Sequence, residues 1–259
     1  MKFIDVHCHI NAEDYGDLDK LIRNINAAGV EKIISAGFDL VSSEYGKYLS
    51  ERYEGVYFTA GFHPTELKKY RAGDLDKIAE LAAHPKCVAV GEIGLDYHYP
   101  DTDKQLQHGI FKEQLGLARS LKMPVQIHSR DCAEDMYGVL REFAPFEYGA
   151  MLHCYSHSAE LAAEFLKLGL KFSFGGSCTW KGSKRVKRAI AALPREVIMT
   201  ETDSPYIPPA SKYGEFPNTP ESVPEIAGQI ALIKGLTTEE AAESCWNAAH
   251  SLFTKLNDI

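Results

Sequence analysis

Residues 3–9 read Phe3-Ile4-Asp5-Val6-His7-Cys8-His9. Side chains on a strand alternate between faces, so Asp5, His7 and His9 share one face while Ile4, Val6 and Cys8 share the other. An apolar strand that ends on two imidazoles and a carboxylate must supply them with polar partners. A His-x-His spacing lets two ring nitrogens converge on one cation. A pair of hydrogen-bonded or surface histidines has the same spacing, so the metal reading needs further ligands from elsewhere in the chain.

Outward from that strand, apolar β-branched runs alternate with helical patterns to the end of the chain. Further strands are predicted at 32–36, 56–61, 88–93, 125–128, 150–154, 171–174 and 197–200. Helical periodicity covers 17–28, 42–52, 75–83, 104–121, 159–168, 223–234 and 238–256. Two more helices are expected, one opening near Asp131 and one opening with the basic segment 181–188. Eight strands alternating with helices predict an α/β fold, a TIM-like (β/α)8 barrel. Such barrels take about 250 residues, so residues 1–259 are expected to form one domain. The loop 205–220, rich in Pro, Gly and Ser, follows the eighth strand and reads as a substrate loop rather than a domain boundary.

Composition narrows the function classes. The chain is 45% hydrophobic and 25% charged, with a formal net charge of -8, ordinary values for a globular protein. That charge argues against broad binding of duplex DNA, which relies on many Lys and Arg contacts to phosphate. It leaves room for a nucleic-acid enzyme whose bound cations supply local positive charge. The sequence leads from Met1 directly into a strand, without the charged and apolar regions of a secretory signal. No run approaches the roughly 18 apolar residues of a membrane span. Cys8, Cys87, Cys132, Cys154, Cys178 and Cys245 are scattered without a C-x-x-C pair, which predicts reduced, mostly buried thiols and a cytoplasmic protein. Neither a membrane association nor an obligate protein partner is expected.

In a (β/α)8 barrel the active site is built at the C-terminal ends of the strands. Those ends carry His7 and His9, His63, Glu92, His128, His153 and Asp203. The remaining histidines, His84, His98, His108, His157 and His250, fall in loops or helices. His7, His9, His128 and His153 with Glu92 and Asp203 exceed what one tetrahedral cation takes and suit two, with a carboxylate bridging them. Nitrogen and oxygen donors without thiolate fit Zn²⁺, Mn²⁺ or Mg²⁺, and imidazole tilts the choice towards a transition metal. Water held by such ions ionises near neutral pH, so no Ser or Cys nucleophile is needed.

Six stretches, taken in order, resemble the TatD family of metal-dependent hydrolases within the amidohydrolase-like superfamily. They are Asp5-Val6-His7-Cys8-His9, Gly61-Phe62-His63-Pro64 and Gly91-Glu92-Ile93-Gly94-Leu95-Asp96-Tyr97, then His128-Ser129-Arg130, His153-Cys154-Tyr155-Ser156 and Glu201-Thr202-Asp203-Ser204-Pro205. The resemblance implies that His7, His9 and Asp203 hold one metal, that His128 and His153 hold the second, and that Glu92 bridges them. Elsewhere in the superfamily the bridge is often a carboxylated lysine, so Glu92 favours the TatD branch. Catalytic roles then fall to Glu92, to Asp203 as proton acceptor for the attacking water, and to His63 beside the substrate phosphate. Asp5 is expected to support a ligand histidine. Glu201, by strand alternation, is expected to share a face with Asp203, deeper in the barrel.

The activity implied is that of a deoxyribonuclease, exonuclease-like, acting on single strands or ends of DNA. An alternative with the same site is an ester or amide hydrolase such as a D-aminoacyl-tRNA deacylase. A third reading is a metal-binding protein without catalysis, which the complete ligand set disfavours. One departure from the family stands out: its Arg-Asn-x-Pro-like segment reads Pro217-Asn218-Thr219-Pro220 here, so the arginine position holds Pro217. The basic segment 181–188, preceded by Trp180, reads either as a nucleic-acid contact or as a solvated helix face.

Overall fold

The computed structural model describes residues 1–257; residues 258–259 of the expected domain lie outside the described residues. The chain runs β1 (Phe3–Cys8), α1 (Ala12–Tyr15), α2 (Leu18–Ala27), β2 (Val30–Ser35), α3 (Leu40–Arg52), β3 (Val56–Ala60), α4 (Asp74–Ala82), β4 (Cys87–Asp96) and α5 (Lys104–Ser120). It continues with β5 (Val125–Arg130), α6 (Ala133–Phe143), β6 (Ala150–Leu152), α7 (Ala159–Lys167), β7 (Lys171–Phe174), α8 (Lys184–Ala192), β8 (Ile198–Thr200), α9 (Val223–Lys234) and α10 (Thr238–Leu252). The strands lie in one sheet in the order β1 to β8, and the pairs β1–β2, β3–β4, β4–β5, β5–β6 and β7–β8 are parallel. This is the (β/α)8 barrel that the alternation predicts. Among the described residues no helix is long and apolar enough to cross a membrane.

Two compact units make up the chain. The first holds Met1–Ser35, Cys154–Glu164 and Lys171–Ser251. Within it β1 is buried along its whole length, and Ile4, Val6, Ile33, Ile34, Phe172, Phe174 and Met199 form its apolar centre. Its last strand is tied to its first: Thr200 Oγ1 donates to the Ile4 carbonyl at 2.7 Å, and Asp203 N–H donates to the His7 carbonyl at 2.9 Å. Asp17 begins α2 by accepting from Lys20 N–H at 2.9 Å, as an N-cap carboxylate does.

The second unit holds Ala36–His153, Phe165–Leu170 and the chain from Leu252. Here β3 and β4 are buried at every position, the pattern of parallel strands covered on both faces. Asp39 and Ser42 close a capping box at the start of α3. Strand β4 is longer than the predicted 88–93 and runs on through Asp96, paired as Gly94 with His128 and Asp96 with Arg130. Gly94 stands at φ 152°, and a Cβ there would overlap the His128 carbonyl oxygen. Only glycine lets β4 approach β5 this closely. The six cysteines are free thiols, all buried except the half-buried Cys154.

Candidate metal centre

In the first unit three ligand candidates meet. His7 is fully buried on β1 and His9 follows just beyond the strand. Their Nε2 atoms are 3.2 Å apart, and Asp203 Oδ1 lies 3.5 Å from the first and 3.4 Å from the second. His9, one residue past the end of β1, keeps the side of His7 because one residue separates them. Asp203 arrives differently. Strand β8 ends at Thr200, and Asp203 adopts φ 52°, which turns its carboxylate onto the two histidines.

The expectation that Glu201 and Asp203 share a face therefore rests on a strand that has already ended. Glu201 is fully buried and accepts from Ser173 Oγ at 2.5 Å. Asp5 supports His7 through its main chain: Oδ1 accepts from His7 N–H at 3.1 Å and from Thr202 N–H at 3.0 Å. Its Oδ2 lies 2.5 Å from Thr202 Oγ1. Burial drives this carboxyl up to about 8, although the same hydrogen bonds pull the other way.

In the second unit three imidazoles cluster on Glu92, whose peptide with Gly91 is cis. Glu92 Oε1 lies 2.8 Å from His153 Nε2, 2.9 Å from His128 Nδ1 and 3.4 Å from His63 Nε2. His128 Nδ1 and His153 Nε2 are 3.1 Å apart. The His63 ring is turned by Thr65, whose Oγ1 sits 2.7 Å from Nδ1. It meets the His128 ring edge-on at 4.3 Å between centroids. Behind His128, on its far nitrogen, Asp96 Oδ2 stands 3.1 Å from Nε2. Asp96 is itself fixed: its N–H donates to Gln107 Oε1 and its Oδ1 accepts from His98 N–H, both at 2.9 Å.

The donor chemistry tests whether a cation fits. If His128 gives its Nε2 proton to Asp96, Nδ1 presents a lone pair towards the carboxylate oxygen of Glu92. Two lone pairs 2.9 Å apart repel unless a proton or a cation lies between them. Burial pulls the His128 ring towards its neutral form, yet Asp96 and Glu92 together hold it above the ordinary imidazole value. Burial instead keeps His63 below that value, against Glu92. Donor atoms of His63, Glu92 and His128 all lie within 4.8 Å of one another. Such a set suits a divalent ion of the imidazole-accepting kind.

Asp96 is the residue that the predicted boundaries missed. Glu92, Gly94 and Asp96 keep a period of two, and carrying the strand to Asp96 exposes that signal. The others sort plainly. His108 Nε2 lies 2.7 Å from Tyr97 Oη, which donates to Asp135 at 2.6 Å; His98 pairs with Asp131 at 3.2 Å. Asn218 is buried and pins the loop 205–220, with Nδ2 donating to the Tyr206 carbonyl and Oδ1 accepting from Ser222 Oγ, both at 2.9 Å. Pro217 precedes it, so that position supplies no guanidinium. In the basic segment α8 starts only at Lys184; Lys184, Arg185 and Arg188 are exposed while Val186 is buried.

Comparison with known proteins places these residues in context. The family model described as TatD related DNase matches residues 4–254. The uncharacterized metal-dependent hydrolase YabD of Bacillus subtilis is 38% identical over 250 residues, covering 96% of this chain and 98% of its own. The 3'-5' ssDNA/RNA exonuclease TatD of Klebsiella pneumoniae is 30% identical over 240 residues, with 91% of each chain covered. Among solved structures, the TatD homologue YjjV of Escherichia coli superposes with a TM-score of 0.91 at 30% identity, covering 97% of this chain and 98% of its own.

Proposed function

The chain belongs to the TatD-related DNase family of metal-dependent hydrolases, and from that premise we propose that it hydrolyses phosphodiester bonds at the ends of single-stranded DNA. The observation that carries the proposal is Glu92 Oε1 within 3.4 Å of three imidazole nitrogens. In this reading His7, His9 and Asp203 would hold one divalent ion, His128 and His153 would hold a second, and Glu92 would serve both. Zn²⁺, Mn²⁺ and Mg²⁺ are the candidates, in that order of fit to imidazole. The reading treats residues 1–259 as one catalytic domain. Free thiols throughout suit the reducing cytoplasm, where we place the enzyme.

When bound, a pair of divalent ions supplies Lewis acidity to the phosphate and lowers the pKa of water. The side chains do the rest. Asp203 takes the proton of the attacking water, a task for a carboxylate within reach of the nucleophile. Glu92 holds the ligand set in register through its contacts to His128 and His153. His63, kept neutral by burial, presents an imidazole beside the phosphate. The name of the Klebsiella relative, a 3'-5' ssDNA/RNA exonuclease, supports a single-stranded substrate, as does the net charge of -8.

The test is an activity panel of single-stranded DNA, duplex DNA, D-aminoacyl-tRNA and small esters with each metal, run on wild type and Glu92→Ala. Single-stranded DNA is expected to be cleaved best, with turnover lost by at least about a thousandfold in the variant and the circular dichroism unchanged. Wild-type turnover by Glu92→Ala removes the bridging assignment. Cleavage of D-aminoacyl-tRNA but not DNA moves the activity to another ester, and metal binding without turnover of any substrate leaves a non-catalytic protein.

A further inference from the structure

Three of the exposed aromatic rings lie in the short loop after β8: Tyr206 is 57% exposed, Tyr213 74% and Phe216 63%. Large apolar rings gathered in water mark a binding surface more often than rings scattered singly. These rings are held in place. Tyr206 N–H donates to the Asp203 carbonyl at 3.0 Å, closing a turn whose ends stay within about 7 Å. Phe216 packs against Tyr206, with centroids 6.3 Å apart and planes at 42°. Beneath them Asn218, 1% exposed, donates to the Tyr206 carbonyl and accepts from Ser222 Oγ. Its own N–H donates to the Pro205 carbonyl at 2.9 Å, and its carbonyl accepts from Tyr15 Oη at 2.9 Å. One buried amide thus ties both ends of the loop, and the exposed rings are presented by a fixed backbone.

The second ring pair leads into positive charge. Trp180 meets Tyr213 edge-on at 5.6 Å and donates from Nε1 to the Pro208 carbonyl at 2.9 Å. From Trp180 the chain passes directly to Lys181, then to the exposed Lys184 and Arg185. Glu215 is the only carboxylate between Pro205 and Asn218. Flat rings flanked by cations fit a ligand with exposed π-faces on a polyanionic backbone, which is an unpaired nucleic-acid strand. A purely apolar protein partner would leave the lysines and arginine without a counterpart.

We infer that Tyr206 and Phe216, braced by Asn218, form a stacking platform for the base next to the bond cleaved, with Trp180, Tyr213, Lys184 and Arg185 continuing the track for the strand. This deepens the nuclease reading and rests on it for the location of the cleaved bond. The platform selects unpaired bases, since bases within a duplex are already stacked. It is indifferent to sequence, because every base has a π-face.

The experiment measures fluorescence anisotropy of a labelled phosphorothioate dT12, which resists cleavage, and of an abasic strand of equal length, against the metal-loaded protein. Loss of one base–aromatic stack is worth roughly tenfold in affinity. The double variant Tyr206→Ala/Phe216→Ala is expected to bind dT12 at least about tenfold more weakly and the abasic strand as wild type does. Tyr206→Phe/Phe216→Tyr is expected to keep wild-type affinity for both. Equal binding of dT12 by wild type and the alanine variant overturns the platform. So does wild-type affinity for the abasic strand that matches dT12, or no binding of dT12 at all. Cleavage distinguishes the two readings. A wild type that binds dT12 through these rings but cleaves no DNA loses the nuclease assignment and keeps the platform, whereas unchanged binding and cleavage by the alanine variant does the reverse.

Discussion

Asp96 Oδ2 stands 3.1 Å from His128 Nε2, on the side of the ring opposite the Nδ1 that faces Glu92 and His153. A carboxylate behind a ligand imidazole fixes its tautomer, locks its orientation and raises its basicity. Asp96 is 1% exposed. Burial raises its pKa, but hydrogen bonds from His128 and the His98 N–H outweigh this and hold it below the ordinary carboxylate range. It therefore stays anionic and ready to accept the ring proton.

Replacing Asp96 by Ala is expected to weaken the metal held with His128 by about 10- to 100-fold, with Asp96→Asn between that and wild type. Competition against a chromophoric chelator reads the affinity without any substrate. Wild-type affinity in Asp96→Ala would show that packing alone orients the ring.

Asp5 calls for a different substitution pair, because it joins the first strand to the segment after the last. Its carboxyl group meets three donors, His7 N–H, Thr202 N–H and Thr202 Oγ1, in a fully buried position. Asp5→Ala strands those groups, and an unsatisfied buried polar group costs about 1–3 kcal/mol. Urea denaturation is expected to show a loss of roughly 2–4 kcal/mol, short of the full sum because the site relaxes. Asp5→Asn keeps an acceptor for the two amides and offers N–H to the threonine hydroxyl, so its loss should stay near 1 kcal/mol. Equal destabilisation by the two variants would assign the role to charge rather than to hydrogen bonding.

The candidate ligand positions are legible because His7, Glu92 and His128 each follow an apolar run, although β4 and β5 run on past Glu92 and His128. What alternation could not report is where a strand stops obeying it. Gly94 looks like a turn signal after Ile93, yet it stays in β4 because the His128 carbonyl leaves no room for a Cβ. Two residues later this carries Asp96 to His128, a contact hidden by ending the strand at residue 93. At β8 the error ran the other way. The left-handed turn at Asp203 comes with a hydrogen bond to His7, almost two hundred residues distant in sequence, and no local pattern encodes it. Asn218 was visible as a family position, but its work is tertiary: it satisfies carbonyls of a loop that has no ladder of its own.

Away from the candidate metal ligands, Asp39 offers a pH-dependent contribution to stability. Burial raises its carboxyl, but hydrogen bonds from Lys69 and Ser42 outweigh burial and hold it below the unfolded value of 3.8. The Lys69 ammonium lies 2.8 Å from Asp39 Oδ2 and 2.7 Å from Glu66 Oε2, and these partners raise it above its unfolded value of 10.5. A depressed carboxyl adds stability above its unfolded pKa and loses it as pH falls through the folded one. A raised ammonium adds stability below its unfolded pKa and loses it as pH rises through the folded one. The pair is therefore fully stabilising between pH 3.8 and 10.5. Lys69 is 60% exposed, and solvent screening limits the pair to at most about 1 kcal/mol. Lys69→Ala is expected to lower the Tm by a few degrees at most, by the same amount from pH 5 to 8. Below pH 3.8 the gap should close as wild-type Asp39 takes up its proton. Calorimetry across that range checks it, and a gap that stays constant down to about pH 2 would assign the loss to the packing of the lysine stem.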